Sequence, residues 1–462
     1  MEEVYKVIGY IDDIKPAITS MDEFRLVDLG SSLFEAASGC ILHRDPLSGK
    51  VKFLPLGRWK GILQQEDLPV RYIVLSEHLD MVGVQLKSTY TQTRKVNCDA
   101  LLEKVSNIIG PWKGGKFMPL TMRPSSLNTF CLSKLLFRCS SVDLRAGDHK
   151  KITSEVKSWL FADQLEYPEE MVLHRPRAKG GLGLTNVNYK AMAEQIRSFM
   201  ETSIHPSFTS NMYHLALFQW YVEERRDIYP PKKNPYYSDE LFTNIKMVRE
   251  EGLLKISTMS TGQWYKVLLE NNITNFTDED NTSSLKPCRA ELQHPEVDWE
   301  MSWSLANLHG LASEEKTFLW RMLHNILPTQ QRLHRLGMRN AVSPLCNLCT
   351  AGEQDDLNFA LIACSFNSEV SDWLTGILHH LLPNLLQHQI VLLNLGPLDE
   401  ELRFPVVWII SQVLSLTWDY RKEKKKPRLF QTRANLEAGI AILRKTRFSN
   451  SCNTIEEIIA TL

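Results

Sequence analysis

Apolar and polar residues change rhythm several times along the chain. Val4 to Tyr10 reads as a strand, Asp12-Asp13 as a turn, and Ile14 onward as a return strand interrupted by Pro16, so the first expected element is a β-hairpin. From Ser20 to Ala37, Met21, Phe24, Leu26, Val27, Leu33, Phe34 and Ala37 recur at roughly helical spacing and stop at Ser38-Gly39, which predicts a helix. Strand-like runs follow at Val51 to Leu56, Arg71 to Leu75 and Met81 to Leu86. After Asn97, Leu101, Leu102, Val105, Ile108 and Ile109 fall on one face of a helix that Pro111-Trp112-Lys113-Gly114-Gly115 stops. From about Leu120 the pattern is mainly helical. The Pro-rich DIYPPKKNPYY (Asp227 to Tyr237) and the polar FTDEDNTSSLKP (Phe276 to Pro287) read as linkers, and no internal repeat is visible.

With 462 residues and 43% hydrophobic content, the chain can build two to four domains with sizeable cores. Lys plus Arg number 53 against 54 Asp plus Glu, so any attraction for nucleic acid has to come from local basic patches. The nine cysteines are scattered, unlike the framework of a small disulfide-rich domain. Neither a signal peptide nor an apolar run of about 18 residues is present. These features predict a soluble, intracellular protein, cytoplasmic or nuclear.

Two adjacent carboxylates on a hairpin can reach a divalent cation without being buried unpaired, and Mg²⁺ prefers such hard oxygen ligands. Nucleotidyl transfer uses a pair of these ions on the attacking and leaving oxygens. An ordinary acidic turn explains four letters equally well. The order that follows is more telling: Y-x-D-D at Tyr10 to Asp13, SGCILHRDPLSGKVKFLPLG at Ser38 to Gly57, and LDMVGVQL at Leu79 to Leu86. This succession resembles the second half of a reverse-transcriptase palm, and the chain as a whole resembles the C-terminal part of a non-LTR (LINE-type) retrotransposon polyprotein. The resemblance implies that Asp12 and Asp13 are the catalytic, magnesium-binding pair, with Tyr10 beside the nucleic acid. It places Lys50 near a lysine that protonates the leaving pyrophosphate, after an insertion-like HRDPLSG, and Gly83 in the primer grip.

The stretch from Val96 to Phe137 resembles the thumb helices of the same family. Lys113, Lys116 and Arg123 are its candidate phosphate contacts, set against the plainer reading of a solvated helix end. KGGLGLTNV (Lys179 to Val187) resembles the Gly-rich segment after the thumb, and its glycines most simply provide turns. LPTQQRLHRLGMRNAVSPLCNLCTAGEQDDLNFALIAC (Leu327 to Cys364) resembles the family's cysteine-histidine module. Cys346, Cys349 and Cys364 match its zinc-binding cysteines, but Phe359 stands where the family has histidine, preceded by Asn358. The site is therefore degenerate, with zinc possible through three ligands, and His324 or His334 the only nearby imidazoles. The alternative is an apolar core of Phe359, Leu361 and Ile362 around three reduced thiols.

Arg421, Lys422, Lys424, Lys425, Lys426 and Arg428, then Arg444, Lys445 and Arg447, form the densest positive stretch, interleaved with Trp418, Tyr420 and Phe430. It suits binding to RNA or DNA through phosphates and stacking, with Lys424 to Lys426 at its centre, or else a solvated helix face or import signal. Trp299, Trp303 and Trp320 are expected in a helical core.

The expected fold is an α+β palm remnant (1–92), a thumb-like helical region with the Gly-rich connector (93–226), a linker and helical segment (227–290), and a C-terminal helical domain (291–462) with a degenerate knuckle at 346–364. Only nine residues precede Tyr10. The fingers and the first metal-binding aspartate that the resemblance requires are not among the 462 residues. The expectation is a truncated polymerase remnant, inactive alone, or a gene model cut short, with a nucleic-acid binding protein as the competing function.

Overall fold

The computed structural model describes residues 7–10, 13–16, 20–39, 47, 50–56, 59–81, 83–112, 118–133, 144, 146–161, 168–204, 221–222, 239–250, 259–276, 283–285, 287–445 and 449–460. The chain is mainly helical, with short paired strands, and divides into two compact units. The first comprises 1–104, 135–148 and 194–258, and the second 105–134, 149–193 and 259–462.

In the first unit, β1 (Val7–Tyr10) pairs antiparallel with β2 (Asp13–Pro16), Tyr10 opposite Asp13. Asp13 thus opens the return strand instead of occupying the turn, and Asp12 lies outside the described residues. Helix α1 (Met21–Ser38) ends as expected at Gly39, whose φ of 71° lets its N–H reach back to Glu35 O. Its Phe24 is buried with Leu68, Val70 and Ile73, and its ring lies edge-on to Phe53 at 4.8 Å.

The strand-like runs contract to a parallel pair, β3 (Lys52–Phe53) with β4 (Val74–Leu75), and to a hairpin, β5 (His78–Met81) with β6 (Val84–Lys87). Pro55, which has no N–H for a ladder, follows closely on β3. Helix α2 (Tyr90–Ile109) starts well before the apolar pattern suggests. Its first turns face inward with polar residues: Thr93 Oγ1 accepts from Lys87 N at 2.8 Å, and the Asn97 amide both accepts from Gln85 N and donates to Gln85 O. Both side chains are buried, so hydrogen bonding to a strand edge replaces apolar packing there. Leu101, Val105 and Ile109 then follow as the expected buried stripe.

The second unit contains α3 (Ala146–Leu160), most of which belongs to it, and α4 (Glu170–His174), followed by the Gly-rich segment and α5 (Val187–Ile204), which begins in this unit. The Trp159 indole donates to Trp112 O at 2.9 Å. Downstream lie α6 (Arg289–Gln293), α7 (Trp299–Ala306), α8 (Ser313–Leu323), α9 (Gln330–Arg335) and α10 (Ser368–Leu381), then α11 (Glu400–Lys422), α12 (Leu429–Leu443) and α13 (Ser449–Ala460). Helix α11 is the axis of this bundle, touching α7, α8, α10, α12 and α13, and its Val406, Val407, Ile409, Ile410 and Val413 are fully buried. Among the described residues no helix is long and apolar enough to cross a membrane.

The Gly-rich segment is part of this packing. Leu182 N and Leu184 N donate to Val172 O and Leu173 O, lacing the segment along α4. Gly180, with φ 78°, offers its carbonyl to both the Trp320 indole N–H (2.9 Å) and His324 Nε2 (2.8 Å). A Cβ on Gly181 would meet Arg175 O at 2.0 Å. These glycines therefore do more than turn the chain: they admit backbone where any side chain would collide. Arg175 nearby forms a two-armed pair with Glu291, 3.2 Å on each arm, and Glu291 also accepts from Cys288 N and the Trp303 indole.

Candidate metal centre

Cys346, Cys349 and Cys364 come together in the second unit. Their sulfur atoms all lie within 4.8 Å of one another, with Cys346 Sγ 3.8 Å from Cys364 Sγ. The first two sit on a small knuckle. Leu345 bridges antiparallel to Gln354, Cys346 N donates to Glu353 O and Asp355 N to Pro344 O, with Gly352 at φ 67° in the turn. Leu348 N points at Cys346 Sγ at 3.5 Å, as the tight Cys-x-x-Cys loop requires. The third cysteine ends a wide helical turn, Phe359–Ala363, whose Ala360, Leu361 and Ile362 are buried.

The donor set and its spacing fit a thiophilic ion. A Zn–S distance of about 2.3 Å gives a tetrahedral S···S edge of about 3.8 Å. Burial pushes the Cys364 thiol up to about 11, against the Phe366 N–H and the Arg421 guanidinium. Burial also opposes ionisation of Cys349, but the Ala351 N–H and the Cys364, Cys346 and Ser365 side chains outweigh it and hold this thiol below its ordinary value.

Among the described residues, no histidine or carboxylate joins the three sulfurs. His324 is engaged with Gly180 O, and His334 Nδ1 faces Ala341 O at 3.0 Å. Phe359 offers no donor. Asn358 Oδ1, one residue earlier, is buried without a hydrogen-bond partner among the described residues.

A cation that the sequence groups with the basic stretch faces this centre instead. Arg421, with 5% of its side chain exposed, donates from Nη2 to Asp355 Oδ1 at 2.5 Å and toward Cys346 Sγ at 3.7 Å. Asp355, equally buried, also accepts from Gln330 N at 2.8 Å. The signal was available in the sequence. Leu414, Thr417, Trp418 and Arg421 continue the buried stripe of α11 at helical spacing, so position 421 belongs to its inner face.

The other candidates are dispersed. Tyr10 and Asp13 are paired residues of the first hairpin, Gly83 turns the second at φ 77°, and Lys50 lies exposed before β3. Asp12, Lys113 and Lys116 lie outside the described residues. Arg123 is buried, donating to Met118 O (2.9 Å) and Leu160 O (2.5 Å). Lys424, Lys425 and Lys426 are exposed between α11 and α12 with Phe430 nearby in sequence and 62% exposed, although Lys425 is paired with Glu423 at 2.7 Å. Trp303 and Trp320 are core residues, as expected.

The family described as zinc-binding in reverse transcriptase matches residues 290–370. That span holds α7, α8 and α9 together with all three clustered cysteines. The match points to a reverse-transcriptase-related protein. No curated protein matches the chain.

Proposed function

We propose that the chain is part of an RNA-directed DNA polymerase of a non-LTR (LINE-type) retrotransposon, contributing nucleic-acid handling without catalysis by itself. The observation that carries this reading is the coincidence of the zinc-binding family match at 290–370 with three thiols at metal-binding spacing. On this reading 1–92 is palm, with Asp12 and Asp13 its magnesium-binding pair, and the helices after it are thumb. Asp12 and Asp13 as a pair of carboxylates bind Mg²⁺ weakly and do not by themselves position a nucleotide, which is why the reading assigns nucleic-acid handling to this chain. The test is primer extension on an RNA template with Mg²⁺ or Mn²⁺. No product is expected, and robust extension abolished by Asp12→Ala would overturn the inactivity.

A specific observation favours the second part of the reading, binding of RNA or DNA. Lys424, Lys425 and Lys426 project from the short turn between two helices of the bundle, where rigid elements flank exposed cations. Such a turn can follow a phosphate backbone while the cysteine module stays anchored through Arg421.

A further inference from the structure

We propose that Cys346, Cys349 and Cys364 hold a soft divalent ion through three thiolates only, with the fourth coordination position open to an exchangeable neutral ligand from solution. The inference rests on the metal-binding reading of this module. Three observations carry it.

The first is the donor count. Within the cluster's reach the described residues supply three sulfurs and neither imidazole nor carboxylate. A d¹⁰ ion of the zinc kind completes tetrahedral coordination, and with three protein ligands it takes the fourth from solvent or substrate. Soft thiolates also select thiophilic ions over hard ones such as Mg²⁺.

The second is access. Cys346 and Cys364 are 7% and 0% exposed, whereas Cys349 is half-buried, and Asn347, Thr350, Ala351 and Gly352 around it are exposed. The cluster is thus closed on the side of α11 and the Phe359–Ala363 turn and reachable from the knuckle side. A small molecule can approach without the bundle opening.

The third is charge. Three thiolates and a divalent ion sum to one negative charge, while Arg421 and Asp355 beside them cancel each other. An anionic fourth ligand would leave two uncompensated charges in a largely buried site, at a steep desolvation cost. A neutral nitrogen or water ligand avoids this. Arg421 Nη2 donating toward Cys346 Sγ, together with a buried Nη1 that donates to no described residue, supplies donors suited to the one negative charge that remains.

The test uses the purified full chain, stripped of metal and titrated with Co²⁺ in reducing buffer, followed by imidazole at saturating cobalt. One equivalent of cobalt is expected to produce thiolate-to-metal absorption in the near ultraviolet and tetrahedral bands in the visible. Imidazole should then shift the visible bands saturably while leaving the thiolate absorption unchanged. Cys364→Ser and Cys349→Ser, checked for retained helicity by circular dichroism, should each weaken cobalt binding at least tenfold. If no thiolate absorption appears, or the cysteine variants bind equally well, the metal reading fails and the inference with it. If cobalt binds but the visible bands ignore imidazole, the open position alone is overturned. Bands that become imidazole-sensitive only in Asn358→Ala would overturn it too, by assigning the fourth position to the Asn358 amide.

Discussion

Gly180 and Trp303 approach so closely that a Cβ on the glycine would lie 2.5 Å from the indole ring. The same glycine holds a φ of 78° and accepts hydrogen bonds from Trp320 and His324. Gly180→Ala must therefore displace an indole and strain the backbone together. The expected loss is about 2–4 kcal/mol of stability, from the left-handed backbone penalty and overpacking combined. Chemical denaturation with tryptophan fluorescence reads it. A variant as stable as the parent would show that the segment does not pack on the module.

His324 gives the second unit a pH dependence. Enclosure between Trp303 and Trp320 pushes its pKa down to about 4, against the hydrogen bond to Gly180 O that favours the protonated ring. A folded-state pKa below the unfolded value means that the unfolded chain binds the proton more readily. The contribution is complete above about pH 6.5 and falls away as pH drops toward 4. Buried His174 acts in the same direction, while the raised Glu315 carboxyl acts in the opposite one. His324→Gln keeps a donor for Gly180 O but does not titrate. Its melting temperature should fall less steeply than the parent's between pH 6.5 and 4.5, by the equivalent of about 2 kcal/mol. Parallel pH curves for the two proteins would contradict the assignment.

The Arg421–Asp355 pair tests how the cysteine module is anchored to α11. Both partners are about one-twentieth exposed, so removing one leaves the other's charge buried without its counter-charge, held by Gln330 N on Asp355 or by Cys346 Sγ on Arg421. Arg421→Met and Asp355→Leu should each cost about 3–5 kcal/mol, and the double variant clearly less than the sum. Additive losses in urea denaturation would mean that the two side chains act independently.

Nucleic-acid binding at the exposed lysine turn is expected to be salt-sensitive. Replacing Lys424, Lys425 and Lys426 by Gln should weaken binding of single-stranded RNA and reduce the slope of log K against log salt by about 2. Fluorescence anisotropy at several salt concentrations measures both. An unchanged slope would place the interface elsewhere.

What could be read from the sequence follows from which physical rule governed each stretch. Where apolar burial decided the structure, as in the Leu101, Val105, Ile109 stripe, periodicity located the element; in α1 it located the helix although Phe24 alone of the pattern is buried and Leu26, Leu33 and Phe34 are exposed. Where polar residues were buried because they hydrogen-bond to a strand edge, as at Thr93 and Asn97, the same rule began α2 too late. The three cysteines were legible from the Cys-x-x-Cys spacing and their family resemblance. Arg421 was counted with the lysines around it because composition ignores the helical face on which a charge falls. Gly180 and Gly181 read as turn residues, since the indole and carbonyl that exclude a side chain there come from elsewhere in the fold: Trp303 is far along the chain.

The most direct test of the account is X-ray absorption at the zinc edge of the purified full chain. One zinc per chain is expected, with three sulfur neighbours at about 2.3 Å and one lighter nitrogen or oxygen neighbour. Absence of stoichiometric zinc, or a shell of any other sulfur count, would contradict it.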